Sequence, residues 1–288
     1  MTTPIISVII VVYNAHTTIE ASLKSVLSQS YEARELVIID GASTDGTLDI
    51  IEKYKNKLGY FVSEKDAGIY DAMNKAIQAA KGDWLYFLGS DDMLFDNEVL
   101  SKIFELSEIE QADFIYGDVK LKSNNQLYGG SRTFASLIEK NINHQAIFYR
   151  KHIFGRVGNY NLKYKVLADY DLNLRIFENN SILKNYLPIT VCLFNDKGGA
   201  SNITIDSSFF ADKLLQFSCN AGLAVSKATL QQYYFYTGFV LLMRDKNLEG
   251  LKYCLQAFTA GPRKIFYSLI FIKFLLGYLG LGKKIKIV

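Results

Sequence analysis

The chain has 288 residues, of which 49% are hydrophobic, and its formal net charge at pH 7 is +3. This hydrophobic content excludes a disordered chain and is ample for one large domain, or for one domain with an appendage. The small charge, with no basic helix of the kind that binds nucleic acid, argues against a nucleic-acid partner. The three cysteines are widely separated and form no Cys-x-x-Cys pair, which predicts reduced core cysteines in the cytoplasm and neither a disulfide framework nor a zinc site. They are Cys192, Cys219 and Cys254.

Short apolar runs alternate with amphipathic helical patterns in the first hundred residues. The first run is too short for a signal-peptide core or a membrane span, so we expect a buried strand and no leader. Thr17 and Glu20 after it predict a capping box at the start of a helix. A later helix should place Ile69 and Met73 on its inner face. Alternation of strand and helix is typical of a parallel sheet with right-handed crossovers. The predicted strands cover residues 5–12, 36–39, 60–62 and 84–88.

Acidic residues follow three of these strands. Asp40 ends the second, Asp66 follows the third, and the pair Asp91 and Asp92 follows the fourth. Since the carboxyl ends of parallel strands meet at one edge of a sheet, these side chains should converge. Two adjacent carboxylates repel by up to about 4 kcal/mol in a partly screened site, which predicts a cation, and a divalent ion with a nucleotide diphosphate fits. The alternative is a loop that caps the next helix, although Asp96 can provide that cap.

Six segments of the chain share a pattern with one enzyme family: residues 7–14, 40–47, 66–75, 89–92, 144–145 and 168–172. In this order they resemble the inverting glycosyltransferases of family two, whose nucleotide-sugar domain has the fold called GT-A. The likeness covers roughly residues 5–195 and is closest to bacterial enzymes that build capsular, lipopolysaccharide or exopolysaccharide chains. It implies an α/β fold, in which a Rossmann-like, mixed and mainly parallel sheet is flanked by helices, with a C-terminal helical appendage.

The resemblance implies a nucleotide pocket at the acidic edge. Asp40 matches the family aspartate that reads the uracil of a uridine-diphosphate sugar, and capping of the following turn is its alternative role. Asp66 matches a position near the ribose and donor sugar, with a turn role as the alternative. Asp92 is implied as the direct ligand of Mn²⁺ or Mg²⁺, with Asp91 closer to ribose or sugar hydroxyls, although the order between the two stays open. The implied nucleotide-binding residues are Val12, Tyr13, Asn14, Asp40, Asp66 and Asp91.

Further contacts to donor and acceptor follow from the same resemblance. Family members often carry an arginine one residue before Asn74, where this chain has Met73, so Lys75 is the candidate for cationic contact to the diphosphate. His144 is expected to bind diphosphate or acceptor, with a purely structural histidine as the alternative. The weaker candidates for these contacts are Tyr70, Asp71, Asn74, Lys75, His144 and Gln145.

Inverting transfer needs a general base that removes the proton of the acceptor hydroxyl while its oxygen attacks the anomeric carbon. Asp169 resembles the second position of the family's Glu-Asp segment, and Ala168 stands where the glutamate is usual. Asp169 is therefore the predicted catalytic base, and an N-cap of the helix that buries Leu172 is its alternative role. Asp171 is expected to be a solvated carboxylate in the first helical turn.

The sequence changes character after about residue 205. Residues 230–243 are crowded with aromatics, and residues 265–281 are apolar except for Lys273 and a few small or hydroxylated residues. A central lysine argues against a full membrane span, whereas basic flanks suit a helix that lies on an anionic membrane surface. Packing on the catalytic domain or on a partner subunit, including a second copy, is the alternative.

These patterns predict a catalytic domain over residues 1–204, with a donor half (1–119) and an acceptor half (120–204), and a helical region over 205–288. Together with the basic tail, the family resemblance implies a cytoplasmic inverting glycosyltransferase on the inner face of the cell membrane, which moves a hexosyl or N-acetylhexosaminyl group from a UDP-sugar to a lipid-linked saccharide.

Three other functions fit the same residues less well. A nucleotidyltransferase normally has a Gly-rich, basic phosphate loop where this chain has residues 13–16. A scaffold subunit of a membrane polysaccharide synthase would tolerate loss of Asp92 or Asp169, and both are present. A processive synthase usually carries a Gln-x-x-Arg-Trp segment, whereas Trp84 is the only tryptophan.

Overall fold

The computed structural model describes residues 6–197, 206–219, 225–243 and 249–262, together with Ser268 and Ile272. The chain divides into two compact units, Met1–Thr204 and Ile205–Val288. All candidate site residues named above belong to the first unit.

A nine-stranded mixed sheet forms the centre of the first unit in the part that the structure describes. Its order is β3-β2-β1-β4-β8-β6-β9-β5, with β7 paired to β6. The first four strands in this order are mutually parallel, as are β6 and β9, whereas β8 runs antiparallel to β4 and β6. The predicted α/β fold with a mixed sheet is confirmed. The strands are β1 (Ile6–Val12), β2 (Arg34–Asp40), β3 (Tyr60–Ser63), β4 (Trp84–Gly89), β5 (Met93–Leu94), β6 (Phe114–Leu121), β7 (Leu127–Tyr128), β8 (Ile147–Arg150) and β9 (Lys184–Phe194).

Helices flank this sheet. Short 3₁₀ turns occur at Lys55–Lys57, Ser107–Glu110 and His144–Ala146. The α-helices of the first unit are α1 (Ile19–Leu27), α2 (Thr47–Glu52), α3 (Ile69–Ala79), α4 (Val99–Phe104), α5 (Phe134–Glu139), α6 (Ile153–Val157) and α7 (Ala168–Glu178).

The central strands are apolar because the sheet is covered on both faces. Every residue of β1 is buried, and so is every residue of β4 before Gly89. Near-continuous apolar runs of this kind are characteristic of parallel strands inside a domain. The rings of Tyr86 and Phe148 stack across β4 and β8 with centroids 4.6 Å apart, which joins the antiparallel part of the sheet to the parallel part.

Two local predictions are wrong. The capping box of Thr17 and Glu20 is absent because Thr18 is the N-cap of α1, and the Glu20 carboxylate instead accepts from the Tyr54 hydroxyl at 2.8 Å and pairs with Lys24. Ile69 is 44% exposed. It stands one position before the first buried residue of α3. Because a helix turns by about 100° per residue, this step places the Ile69 side chain outside the buried face.

The second unit contains α8 (Ser207–Cys219), α9 (Lys227–Met243) and α10 (Glu249–Ala260). Helices α9 and α10 approach closely at two glycines, since a Cβ on Gly250 would lie 2.5 Å from the carbonyl oxygen of Gly238. None of the helices in the described ranges is both long and apolar enough to cross a membrane. The predicted membrane-binding segment, residues 265–281, lies outside the described residues except for Ser268 and Ile272.

Candidate active site

The parallel strands bring their carboxyl ends to one edge of the sheet. Val12 of β1 is in register with Asp40 of β2, Asp40 with Ser63 of β3, and Val11 with Gly89 of β4. The loops that follow these strands therefore start side by side. The predicted convergence of the acidic strand ends at one edge is present in the fold.

An exposed aromatic ring and a carboxylate meet over a glycine at this edge. Tyr13 is 65% exposed, although it follows a fully buried strand. A Cβ on Gly41 would lie 2.7 Å from Oδ2 of Asp66 and 3.5 Å from the Tyr13 ring, so the bare glycine permits their close approach. Oδ1 of Asp66 accepts from the Gly68 backbone at 2.9 Å, which holds its turn. A flat ring beside a carboxylate suits a base with ribose hydroxyls.

The loops after β1 and β2 are locked together by polar contacts. Asn14 has a φ of 49°, in the left-handed region, and its side-chain oxygen accepts from the Thr44 backbone at 2.9 Å. Its own backbone amide donates to the Ser43 hydroxyl at 2.8 Å. Asparagine tolerates this backbone region better than most residues, which accounts for its presence here. The two loops therefore form one rigid surface next to Tyr13.

Asp40 lies beneath this surface and is fully buried. Its carboxylate accepts from the backbone and the hydroxyl of Ser43 and from the hydroxyl of Ser63 at 2.6 Å. These contacts match the alternative role, in which Asp40 anchors the turn after β2. Its predicted contact with a uracil stays a prediction.

Asp92 is a buried carboxylate held by two donors. It is 1% exposed, Oδ1 accepts from the Asn195 backbone at 2.6 Å, and Oδ2 accepts from Nε2 of Gln145 at 2.8 Å. Burial raises the pKa of Asp92 to about 7 and the charge of Asp91 adds to the rise, while the two hydrogen bonds and the charge of Lys122 oppose it. The Asp92 carboxyl group is therefore only partly ionised near pH 7.

Asp91 is half-buried and shares a partner with Asp92. Its Oδ2 accepts from Nδ2 of Asn195 at 2.8 Å, and its backbone carbonyl accepts from the Lys122 ammonium at 2.6 Å. Sequence reasoning missed Asn195. The signal was its position directly after an apolar strand, β9, the same signal that identified the aspartates.

The residues at this position fit a divalent cation. No lysine, arginine or histidine in the described ranges pairs with either carboxylate, and the buried Oε1 of Gln145 has no hydrogen-bond partner. Carboxylate and amide oxygens are the ligands that Mg²⁺ and Mn²⁺ prefer. Within the same ranges, no group of three or more His, Cys, Asp or Glu side chains could hold a metal. A cation here would complete its coordination with phosphate oxygens and water.

Asp169 is the second residue of α7, and the N-cap is Leu167, so the alternative role as an N-cap is wrong. Its carboxylate is nearly buried, with Oδ1 2.8 Å from the Tyr70 hydroxyl and Oδ2 2.9 Å from Nδ2 of Asn141. Sequence reasoning missed Asn141, which lies in a loop without any motif. Asp171 is not solvated as predicted, because it is buried and pairs with Arg175 at 2.9 Å.

His144 lies in the electrostatic field of two of these carboxylates. It begins a 3₁₀ turn and is half-buried. Burial lowers the pKa of His144, while the charges of Asp169 and Asp91 act in the opposite direction. A neutral imidazole with both carboxylates near it can donate one hydrogen bond and accept another.

Comparison with known proteins decides the family. The model of glycosyl transferase family 2 matches residues 7–170, which is more than half of the chain. This chain belongs to glycosyl transferase family 2. The glycosyltransferase is 38% identical over 249 residues to the PGL/p-HBAD biosynthesis glycosyltransferases of Mycobacterium tuberculosis and Mycobacterium bovis, which covers 85% of this chain and 96% of each relative.

Solved structures share the fold of this glycosyltransferase. Staphylococcus aureus TarS 1-349 in complex with UDP-GlcNAc superposes with a TM-score of 0.65 at 19% identity, over 91% of this chain and 82% of the TarS 1-349 chain. The mannosyltransferase PcManGT of Pyrobaculum calidifontis, in complex with GDP-Man and Mn²⁺, has a TM-score of 0.54 at 17% identity, over 96% and 82% of the two chains. At these identities the likeness shows the GT-A fold alone.

Helix α3 of the glycosyltransferase carries the remaining candidates. The Lys75 ammonium pairs with Glu64 at 2.7 Å and with Asp71 at 3.5 Å, and Asp71 also accepts from the Ala67 backbone at 3.0 Å. Lys75 thus already shares its charge with two acids. Its predicted contact with the diphosphate stays a prediction.

Proposed function

We propose that this glycosyltransferase moves a sugar, with inversion, from a UDP-sugar to a hydroxyl group of a saccharide carried on a lipid. The observation that carries the proposal is that one short segment, residues 141–145, contacts both kinds of carboxylate. Asn141 donates to Asp169 at 2.9 Å, and Gln145 donates to Asp92 at 2.8 Å. A carboxylate suited to proton removal and a carboxylate suited to the diphosphate end therefore both lie against this segment, which supports an inverting displacement.

The donor nucleotide would lie on the loops after β1, β2 and β3. The exposed Tyr13 ring is available to stack on the base, and Asp66 faces it across Gly41. We assign Asp40 to this pocket as the buried residue that anchors the loop after β2 beneath the base, through its contacts with Ser43 and Ser63. The S. aureus neighbour in complex with UDP-GlcNAc supports a uridine nucleotide, although the P. calidifontis neighbour carries GDP-Man.

Asp91 and Asp92 would hold Mn²⁺ or Mg²⁺ together with the diphosphate. A divalent ion bound there supplies positive charge that stabilises the leaving nucleoside diphosphate. The residues of this chain prepare the site, since Asn195 holds both carboxylates and Gln145 holds Asp92. The pKa of Asp92, raised to about 7 by burial, supports a cation at this position, because a bound positive charge would stabilise the charged carboxylate.

Asp169 would act as the general base. Its carboxylate takes the proton of the acceptor hydroxyl as that oxygen forms a bond to the anomeric carbon. The bond between the anomeric carbon and the phosphate oxygen breaks on the opposite face, and its electron pair leaves with the diphosphate. His144, with Asp169 and Asp91 near it, would hydrogen-bond the acceptor or the diphosphate.

The acceptor class follows from the relatives and from the basic tail. The mycobacterial relatives are named for PGL/p-HBAD biosynthesis, which supports a glycolipid acceptor here. Residues 263–288 would keep the enzyme on the inner face of the cell membrane, where such an acceptor is found. Sedimentation with anionic vesicles tests this. The full chain should pellet and a chain ending at residue 262 should not, and equal behaviour of the two would assign the tail to protein packing.

Calorimetric titration tests the donor site. UDP, GDP and thymidine diphosphate are titrated into the protein with and without Mn²⁺. We expect metal-dependent binding that is selective for UDP. Asp169→Asn should bind UDP as tightly as the wild type does but should release no UDP from UDP-sugars. Absence of binding by any of the three nucleotides would contradict the donor site, and full turnover by Asp169→Asn would contradict the base.

A further inference from the structure

Two polar side chains on one face of α3 bind the segment that leads to Asp169. Tyr70 and Asn74 are one helical turn apart. The Asn74 amide makes two hydrogen bonds of 3.0 Å to the backbone of Tyr160, one to its carbonyl oxygen and one from its nitrogen. The Tyr70 hydroxyl contacts the carbonyl oxygen of Val166 at 2.9 Å. Helix α3 therefore binds both ends of the segment that connects α6 to α7.

The Tyr70 hydroxyl lies within hydrogen-bonding distance of two acceptors. It lies 2.8 Å from Oδ1 of Asp169 and 2.9 Å from the carbonyl oxygen of Val166, but it has one proton to donate. When Asp169 is a carboxylate, the charge-assisted bond to Oδ1 is the stronger one. When Asp169 holds a proton on Oδ1, it can donate to the Tyr70 oxygen, and the hydroxyl then donates to Val166. Rotation about one C–O bond thus satisfies both protonation states.

Asn141 fixes the other oxygen of the same carboxylate. Its Nδ2 donates to Oδ2 of Asp169 at 2.9 Å, and its Oδ1 accepts from Nδ2 of Asn173 at 2.9 Å. Since Asn173 orients the amide, the group that faces Asp169 is a donor. The carboxylate is therefore held in one orientation from two sides, with the fixed donor on one side and the adaptable hydroxyl on the other.

We propose that Tyr70 is the positioning residue of the catalytic base, holding the Asp169 carboxylate aimed at the acceptor and adapting to its protonated form by turning one hydroxyl hydrogen. This inference rests on the proposed role of Asp169. Because α3 begins three residues after Asp66, the helix also ties the position of the base to the loop that faces the donor nucleotide. Tyr70 thus acts on the reaction through Asp169, without contact to the sugar.

Tyr70→Phe tests the inference, and Tyr170→Phe is its matched control. Both tyrosines are 8% exposed, and the Tyr170 hydroxyl lies 2.7 Å from the carbonyl oxygens of Leu137 and Ile138. Each substitution deletes one buried hydroxyl, but only Tyr70→Phe removes a donor to Asp169. A general folding defect would affect both variants.

The first readout needs no substrate. The carboxyl carbon of Asp169 is followed by NMR with ¹³C-labelled aspartate, and the signal is assigned by its loss in Asp169→Asn. Loss of a hydrogen bond to Oδ1 changes the electronic environment of the carboxyl carbon, so the chemical shift of this signal should change in Tyr70→Phe. The chemical shift should be unchanged in Tyr170→Phe. Equal chemical shifts in all three proteins would overturn the inference.

The second readout is the rate of UDP release from the UDP-sugar that the wild type turns over. We expect Tyr70→Phe to lower kcat by about 10- to 100-fold, with the Kd for UDP within about twofold. Tyr170→Phe should keep the wild-type kcat. Wild-type activity of Asp169→Asn would remove the proposed base itself, whereas an inactive Asp169→Asn beside a wild-type kcat of Tyr70→Phe would overturn only the positioning role.

Discussion

Nε2 of Gln145 lies 2.8 Å from Oδ2 of Asp92, while Oε1 of the same amide is buried without a hydrogen-bond partner. The amide therefore stabilises the charged form of Asp92 at the expense of its own acceptor. Such an unpaired buried acceptor costs about 1–3 kcal/mol, and the buried carboxylate adds a further cost when it is charged. This part of the site is therefore destabilising in the protein alone.

Asp92→Asn should make the protein more stable and inactive. Burial raises the pKa of Asp92 from 3.8 to about 7, so the folded state binds this proton more tightly than the unfolded state. The wild type therefore loses stability as pH rises from 3.8 to about 7, and the variant lacks this loss. The gain should be absent near pH 4 and reach on the order of 2 kcal/mol at pH 8, measured by urea unfolding.

The control for this gain in stability is a change at Gln145, whose amide contacts Asp92. Asn at position 92 gains a donor, and rotation of the Gln145 amide can present its unpaired oxygen to that donor. The double variant Asp92→Asn/Gln145→Leu lacks the acceptor and should lose about 1 kcal/mol of the gain. An equal effect of Asp92→Asn at pH 4 and pH 8 would show that the charge of Asp92 is not the cause.

Gly41→Ala should weaken nucleotide binding with little effect on stability. The new Cβ would lie 2.7 Å from Oδ2 of Asp66, so the carboxylate has to move away from Tyr13. We expect the Kd for UDP to rise by about tenfold, since one charge-assisted hydrogen bond contributes roughly 1.5–3 kcal/mol. Gly155→Ala is the matched control, because no atom lies within 4 Å of its added Cβ. Equal UDP affinity in both variants, measured by calorimetry, would argue against Asp66 as a ligand.

Tyr13→Ala should lose the stacking platform for the base. Stacking of a base on an aromatic ring contributes about 1–3 kcal/mol, which predicts a rise of 5- to 100-fold in the Kd for UDP. Tyr13→Phe keeps the ring and should bind as the wild type does. The control is Tyr60→Ala, which removes another exposed ring from β3. Similar affinity of Tyr13→Ala and Tyr60→Ala in calorimetric titration would place the base elsewhere.

Asn74→Asp should destabilise the protein. The Asn74 amide both donates to and accepts from the backbone of Tyr160, and a carboxylate can only accept. The carbonyl oxygen of Tyr160 would then face a negative oxygen, which should cost about 1–3 kcal/mol in urea unfolding. Gln78→Glu introduces the same charge change on the exposed face of α3 and should be nearly neutral. A cost shared by both variants would assign the effect to helix charge and not to the Tyr160 contact.

Much of the fold followed from local patterns. The apolar runs of β1, β2 and β4 identify strands covered on both faces, and their parallel alternation with helices places Asp40, Asp66 and Asp91 at one edge. The errors were also local. The N-cap of α1 lies one residue later than predicted, and a shift of one residue is enough to expose Ile69 on α3.

The partners of the site residues did not follow from the sequence. Tyr70 and Asn74 belong to a motif that suggested contacts with the donor or acceptor, yet their polar atoms bind the segment before α7. Asn141 and Asn195 carry no motif and were missed, although they hold Asp169 and the aspartate pair.

The α/β architecture, the family and the sheet edge that carries the acidic residues can be inferred from the amino-acid sequence, because hydrophobic periodicity and strand-end motifs are encoded within a few neighbouring residues. How each carboxylate is held depends on the folded chain. The contact of Tyr70 with Asp169 joins positions 99 residues apart, and that of Asn195 with Asp92 joins positions 103 residues apart. Such hydrogen bonds depend on the path of the whole chain between their partners, and that path also determines the burial that raises the pKa of Asp92.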